Sequence, residues 1–101
     1  MEKRKPHHNL KVFQEAFSRP SALAVTKTAF QNALALGFTR AGIVEVIQSM
    51  KRPHFYKSMT ALADHKCWQD VYHVSWEEMI LYVKYTDDVV TDFRLLSFKE
   101  K

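Results

Sequence analysis

The chain has 101 residues, a length that allows one hydrophobic core and leaves no room for a separate cofactor-binding module. Hydrophobic residues make up 47% and charged residues 26%, the balance of a chain that folds and not of one that stays disordered. Lys plus Arg number 15 against 11 for Asp plus Glu, so the net charge of +4 favours a polyanionic partner without naming it.

Residues 1 to 8 carry charge, Pro6 and two histidines without apolar periodicity, and they read as a flexible, solvated basic arm on a single domain spanning residues 1–101. Asn9 can cap a first helix in which Leu10, Phe13 and Phe17 recur at helical spacing before Pro20 ends it. Thr26 or Thr28 can cap a second helix running to Leu36, burying Phe30, Ala33 and Leu34, with Gly37 where a left-handed C-terminal residue is wanted. Thr39 caps a third, in which Ile43, Val44, Ile47 and Met50 form one stripe before Pro53.

The second half changes period. Runs rich in β-branched and aromatic residues, His54 to Thr60, Cys67 to Val74, Met79 to Thr86 and Phe93 to Lys99, predict four strands. Asp87, Asp88, Thr91 and Asp92 are read as the turn joining the last two in an antiparallel pair. Helices followed by strands imply an α+β fold, with the helices packed on one face of a mainly antiparallel sheet.

Two glycines, Gly37 and Gly42, cannot build a phosphate-cradling loop or a dinucleotide fingerprint, so nucleotide-cofactor enzymes are excluded and no cofactor is expected. Five histidines and one cysteine lack a two-plus-two ligand spacing, so no metal site is expected either. His65 reads as a turn residue paired with Asp64, His7 and His8 as solvated side chains, and Cys67 as a small filler at a strand start. A lone cysteine also excludes an internal disulfide framework and suits the cytoplasm, as does the lack of any signal-peptide or membrane-length apolar run.

The basic residues of the strands are more informative. A strict two-residue period places Phe55, Lys57 and Met59 on one face, which would set the Lys57 ammonium among apolar neighbours and lower its pKa. Gln69, Tyr82 and Lys99 add a polar group to each later strand, with Lys84 on the face of Tyr82, and if the helices cover one side, the other could gather Lys57, Gln69, Tyr82 and Lys99 into a concave basic and aromatic surface suited to RNA. Tyr56, Tyr72 and Trp68 are candidate stacking platforms there. Periodicity alone favours the plainer account, in which strand lysines guard edges, Gln69 is a surface residue and the tyrosines belong to the core or rim.

Met1-Glu2-Lys3-Arg4 with Pro6-His7, Phe55-Tyr56-Lys57-Ser58-Met59-Thr60, Asp64-His65, Trp68-Gln69-Asp70-Val71-Tyr72 and Ser97-Phe98-Lys99-Glu100-Lys101 resemble the MqsR toxins. The resemblance runs in order along the whole chain and is strongest over residues 54 to 72 and at the C-terminus. It implies a RelE-like fold and a toxin of a toxin-antitoxin pair, an endoribonuclease that cleaves messenger RNA without ribosome or metal. It also implies neutralisation by an MqsA-like antitoxin, contact with operator DNA only through that antitoxin, and no membrane partner. Carried over by position, the catalytic lysine, glutamine and tyrosine fall on Lys57, Gln69 and Tyr82; Lys99, Lys84, Tyr56 and Tyr72 are read beside them as RNA-binding residues. The chain departs from the family pattern at Ser75-Trp76-Glu77-Glu78 and Tyr85-Thr86-Asp87-Asp88, where acidic residues are added. The competing class is a non-catalytic RNA-binding or protein-interaction module.

Overall fold

The structure, a computed structural model, describes residues 1–88 and 92–101. In chain order it comprises β1 (Glu2–Lys3), α1 (Leu10–Ala16), α2 (Lys27–Ala35), α3 (Arg40–Ser49), β2 (Phe55–Thr60), β3 (Trp68–Trp76), β4 (Met79–Asp88) and β5 (Asp92–Glu100). The fold is α+β, and among the described residues the sheet has five strands in the order β1-β2-β3-β4-β5, each antiparallel to its neighbour.

Local chemistry explains where the helices begin and end. Asn9 accepts from the backbone N–H groups of Lys11 and Val12, Thr26 from that of Ala29 and Thr39 from that of Gly42. Each such cap satisfies donors that the first helical turn leaves open and is worth about 1 kcal/mol. Gly37, just past α2, sits at φ 92°, where a side chain would be strained. Capping at Thr26 turns Ala29 and Ala33 inward, with Phe30 half-buried. Leu34, one residue further around, is 50% exposed and does not join the core as its spacing suggested.

The core lies between the helices and one face of the sheet. Phe13, Phe17, Ala33, Ile43 and Ile47 meet Tyr72, Val74, Leu81, Val83, Leu95 and Phe98 in one cluster. Phe13 stacks on Tyr85 with ring centroids 3.6 Å apart, and Phe93 meets both rings edge-on.

Two further expectations need correction. The first eight residues are not a solvated arm: Glu2 pairs with Met59 and Lys3 with Ser58, so the arm adds a strand beside β2. It is held by Asp70, which is fully buried and accepts from the backbone N–H of His7 at 3.1 Å, that of His8 at 2.9 Å and the Ser58 hydroxyl at 2.6 Å. The His8 ring lies 2.9 Å from the Trp68 carbonyl, and the exposed His7 ring stacks on the Trp68 indole at 5.4 Å. The second correction concerns Asp87 and Asp88, which lie in β4 opposite Phe93 and Asp92 and not in a turn, whereas Thr91 falls outside the described residues. The other hairpin turn, Glu77-Glu78, is tight and puts Glu77 at φ 53°.

Candidate active site

Alternation along β3 sends Asp70, Tyr72, Val74 and Trp76 toward the helices and Gln69, Val71, His73 and Ser75 to the opposite face. On β4, Leu81, Val83 and Tyr85 face the helices, which puts Ile80, Tyr82, Lys84 and Thr86 on the uncovered side. The register then fixes the neighbours: His73 is opposite Tyr82, Tyr82 is opposite Lys99, and Val71 lies between Lys57 and Lys84.

Strand β2 reaches this arrangement by a bulge and not by regular alternation. The register slips between Phe55, opposite Tyr72, and Lys57, opposite Val71, so Tyr56 is an extra residue. Phe55 therefore turns to the core side and packs edge-on against Tyr72, while Tyr56 joins Lys57 and Met59 on the open face. The prediction that Phe55 and Lys57 share a face fails for this reason.

The result is a continuous row of rings flanked by cations. Tyr56 stacks on His73 at 4.2 Å with 21° between planes, and His73 lies 5.8 Å from Tyr82. The Lys57 ammonium is 5.5 Å from the centre of the Tyr56 ring, and that of Lys99 is 5.3 Å from Tyr82. Lys84 is half-buried beside the row and Lys99 is exposed. No pocket indents this face among the described residues.

Charge on this face departs from the expectation for Lys57. Its ammonium donates to the Glu2 carboxylate brought in by β1, and that contact raises its pKa above the usual lysine value instead of lowering it. The Glu2 carboxyl is correspondingly held below its ordinary range by the same contact. Burial pushes the Tyr82 phenol up, partly offset by Lys57, so it keeps its proton at neutral pH. Lys84 is pushed down by burial and then by Lys99. His73 is pushed below the ordinary histidine value, first by burial and then by the positive charge of Lys101.

Of the residues singled out in the sequence, Lys57, Tyr56, Tyr82, Lys84 and Lys99 come together. Gln69 shares the face, opposite Met59 and Thr86, but it stands four residues along β3 from His73, roughly 13 Å at strand spacing, and so lies at the border of the row. Tyr72 does not belong: it is fully buried on the helix side and cannot stack on a base. Trp68 lies on the arm side, under His7 and the Lys3 ammonium. His65 is exposed, and Asp64 accepts from the Lys66 backbone in that turn. Among the described residues no three His, Cys, Asp or Glu side chains gather into a group able to hold a metal ion. Glu2 and His73 were missed. Counting by twos from Gln69 would have put His73 on the same face, whereas Glu2 arrives through a long-range pairing with no local pattern.

A model of the family described as "Motility quorum-sensing regulator, toxin of MqsA" matches residues 5–100. This chain belongs to the MqsR toxin family. A relative, the mRNA interferase toxin MqsR of Escherichia coli (strain K12), is 39% identical over 101 residues, covering 100% of both chains. The MqsR family match includes Lys57, Gln69, His73, Tyr82 and Lys99, while Glu2 precedes it. For this MqsR toxin the uncovered sheet face joins cations, rings and a titratable imidazole on neighbouring strands.

Proposed function

We infer that this protein is an mRNA interferase, the toxin of a type II toxin-antitoxin pair, and that it cleaves single-stranded messenger RNA on the uncovered face of its sheet. The observation that carries this reading is the row Lys57, Tyr56, His73, Tyr82 and Lys99, in which rings that can stack on bases are flanked by ammonium groups that can hold phosphates. Family membership and the name of the relative from Escherichia coli support it. The RelE-like fold that goes with this reading is supported by helices packed on one side of an antiparallel sheet whose other side is free.

RNA can be cut without a metal when the 2′-OH attacks the adjacent phosphate, leaving a cyclic phosphate and a 5′-OH. Lys57, a strong cation by virtue of Glu2, stabilises the dianionic phosphorane in exchange for its carboxylate partner. Tyr82, protonated at neutral pH, donates to the departing 5′ oxygen. Lys99 and Lys84 hold flanking phosphates, Tyr56 stacks on a base, and Gln69 orients the ribose or phosphate from the border. An MqsA-like antitoxin neutralises the toxin, operator DNA is reached only through that antitoxin, and the substrate places the protein in the cytoplasm. Among the described residues no helix is long and apolar enough to cross a membrane.

Incubation of purified protein with a defined single-stranded RNA tests the assignment. Cleavage should persist in EDTA and leave 5′-OH ends. Lys57→Ala should slow it by about 10²- to 10⁴-fold while circular dichroism shows an unchanged fold. Salt-sensitive binding with intact RNA would replace the nuclease by a binding module, and full cleavage by folded Lys57→Ala would remove Lys57 from the mechanism. Growth arrest on expression, relieved by a co-expressed MqsA-like antitoxin, is the corresponding result in cells.

A further inference from the structure

The chemistry just described needs a proton acceptor for the attacking 2′-OH, and the residues transferred from the family do not supply one. Lys57 is committed as an ammonium and Tyr82 as a phenol, since contact with Glu2 and burial respectively hold their protons on. The Glu2 carboxylate is tied to Lys57 and made less basic by it. Lys84, though pushed down by burial, starts from the lysine range.

Resting on the nuclease reading, we propose that His73 is a further catalytic residue, the general base that takes the 2′-OH proton, because its imidazole is held between Tyr56 and Tyr82 at the centre of the row.

Geometry supports the assignment from each neighbouring strand. On the β2 side the ring is stacked at 4.2 Å by Tyr56, with the Lys57 ammonium beyond it. On the β4 side Tyr82 is opposite it in register, and Lys99 of β5 lies beyond Tyr82. Its same-face neighbours on β3 are Val71 and Ser75, and Lys84 of β4 lies opposite Val71. The charge that acts on the ring is Lys101, whose backbone N–H is anchored on the Ile80 carbonyl. Two tyrosines confine the ring plane while the solvent side stays open to a nucleotide, and half-burial beside a cation favours the neutral, proton-accepting form.

The step balances within one phosphodiester. The 2′ oxygen bonds to phosphorus as its proton passes to His73, and the P–O5′ bond breaks as the 5′ oxygen takes the Tyr82 proton. Solvent then removes the imidazolium proton and restores the phenol. Products are the 2′,3′-cyclic phosphate and a 5′-OH, with no co-reactant required.

His73→Phe tests this, since phenylalanine keeps a ring between Tyr56 and Tyr82 but cannot accept a proton. Single-turnover cleavage of a defined RNA should fall by about 10²- to 10⁴-fold, while the Kd for a 2′-O-methyl oligonucleotide of the same sequence changes less than about two-fold. In the wild type the rate should rise with pH up to a break below the ordinary histidine value near 6.5, and this acidic limb should vanish from the residual activity of the variant. Cleavage by folded His73→Phe near the wild-type rate, or a residual rate that keeps the acidic limb, overturns the proposal. So does a loss of cleavage matched by an equal loss of oligonucleotide affinity, which would make His73 a binding residue. If the wild type itself fails to cut, the nuclease reading fails first, and the two failures are told apart by that control.

Discussion

Removing the Asp70 carboxylate should loosen the N-terminal strand, and the size of the effect follows from its partners. In Asp70→Ala the Ser58 hydroxyl keeps the Gln69 carbonyl at 3.3 Å, so it is not orphaned. The backbone N–H groups of His7 and His8 lose their acceptors. A buried donor left unsatisfied costs about 1–3 kcal/mol; both sites are only part-buried, which places each near the lower end and the pair at about 2–3 kcal/mol. Release of the arm to water caps the loss, because β1 contributes only two paired residues. With a urea m-value of about 1–3 kcal/mol/M, the unfolding midpoint should drop by roughly 0.7–3 M. Trypsin should also cut faster after Lys3 and Arg4 in the native state. An unchanged midpoint together with unchanged trypsin resistance would refute the claim that Asp70 holds the arm.

Three more predictions concern charge and buried polarity. Glu2→Gln frees Lys57 from its carboxylate while leaving it cationic at neutral pH, so a 2′-O-methyl oligonucleotide should bind a few-fold more tightly by fluorescence anisotropy; weaker binding would mean that Glu2 positions Lys57 and does not compete with phosphate. His7 and His73 both have folded pKa values below the unfolded value near 6.5, so below that pH the unfolded chain takes up protons the folded one resists. Urea midpoints should therefore be flat above pH 7 and decline as pH falls through 6.5 toward the folded values; His7→Gln/His73→Phe should flatten that decline. The hydroxyls of Tyr72 and Tyr85 interact within the core, with Tyr72 pushed up to about 12 chiefly by burial and Tyr85 raised further, yet no hydrogen bond of acceptable geometry satisfies either. The double variant Tyr72→Phe/Tyr85→Phe should be at least as stable as the parent in a thermal melt, and a drop in Tm would reveal a partner for these groups.

What could be read in the sequence was what local chemistry decides. Asn9, Thr26, Thr39 and Gly37 act on backbone groups within a turn, so they bound their helices without reference to the rest of the molecule. Alternation in β4 was legible because one of its faces is apolar and the other mixed, whereas in β3 the same alternation sets Tyr72 and Trp68 on the face opposite Gln69 and so against the shared stacking surface expected for them. The arm strand was not, since a two-residue pairing stabilised by a carboxylate more than 60 positions away leaves no periodic trace. The displacement of Tyr56 was equally invisible, because a bulge breaks the period that would have revealed it. Lys57 was found by its residue type, but its electrostatic state depends on Glu2, which only the sheet brings near.

Consecutive side chains of a regular strand point to opposite sides, yet Tyr56 and Lys57 project together. The surplus residue is thus a modular insertion: its neighbours Phe55 and Lys57 already hold their places opposite Tyr72 and Val71. Deleting Tyr56 would leave an unbroken ladder, with the anchor phenylalanine still inward and the ammonium still outward. The ring beside Lys57 can accordingly be gained or lost by a single codon without re-registering the ladder, although the His73 imidazole then gains or loses the ring stacked on it.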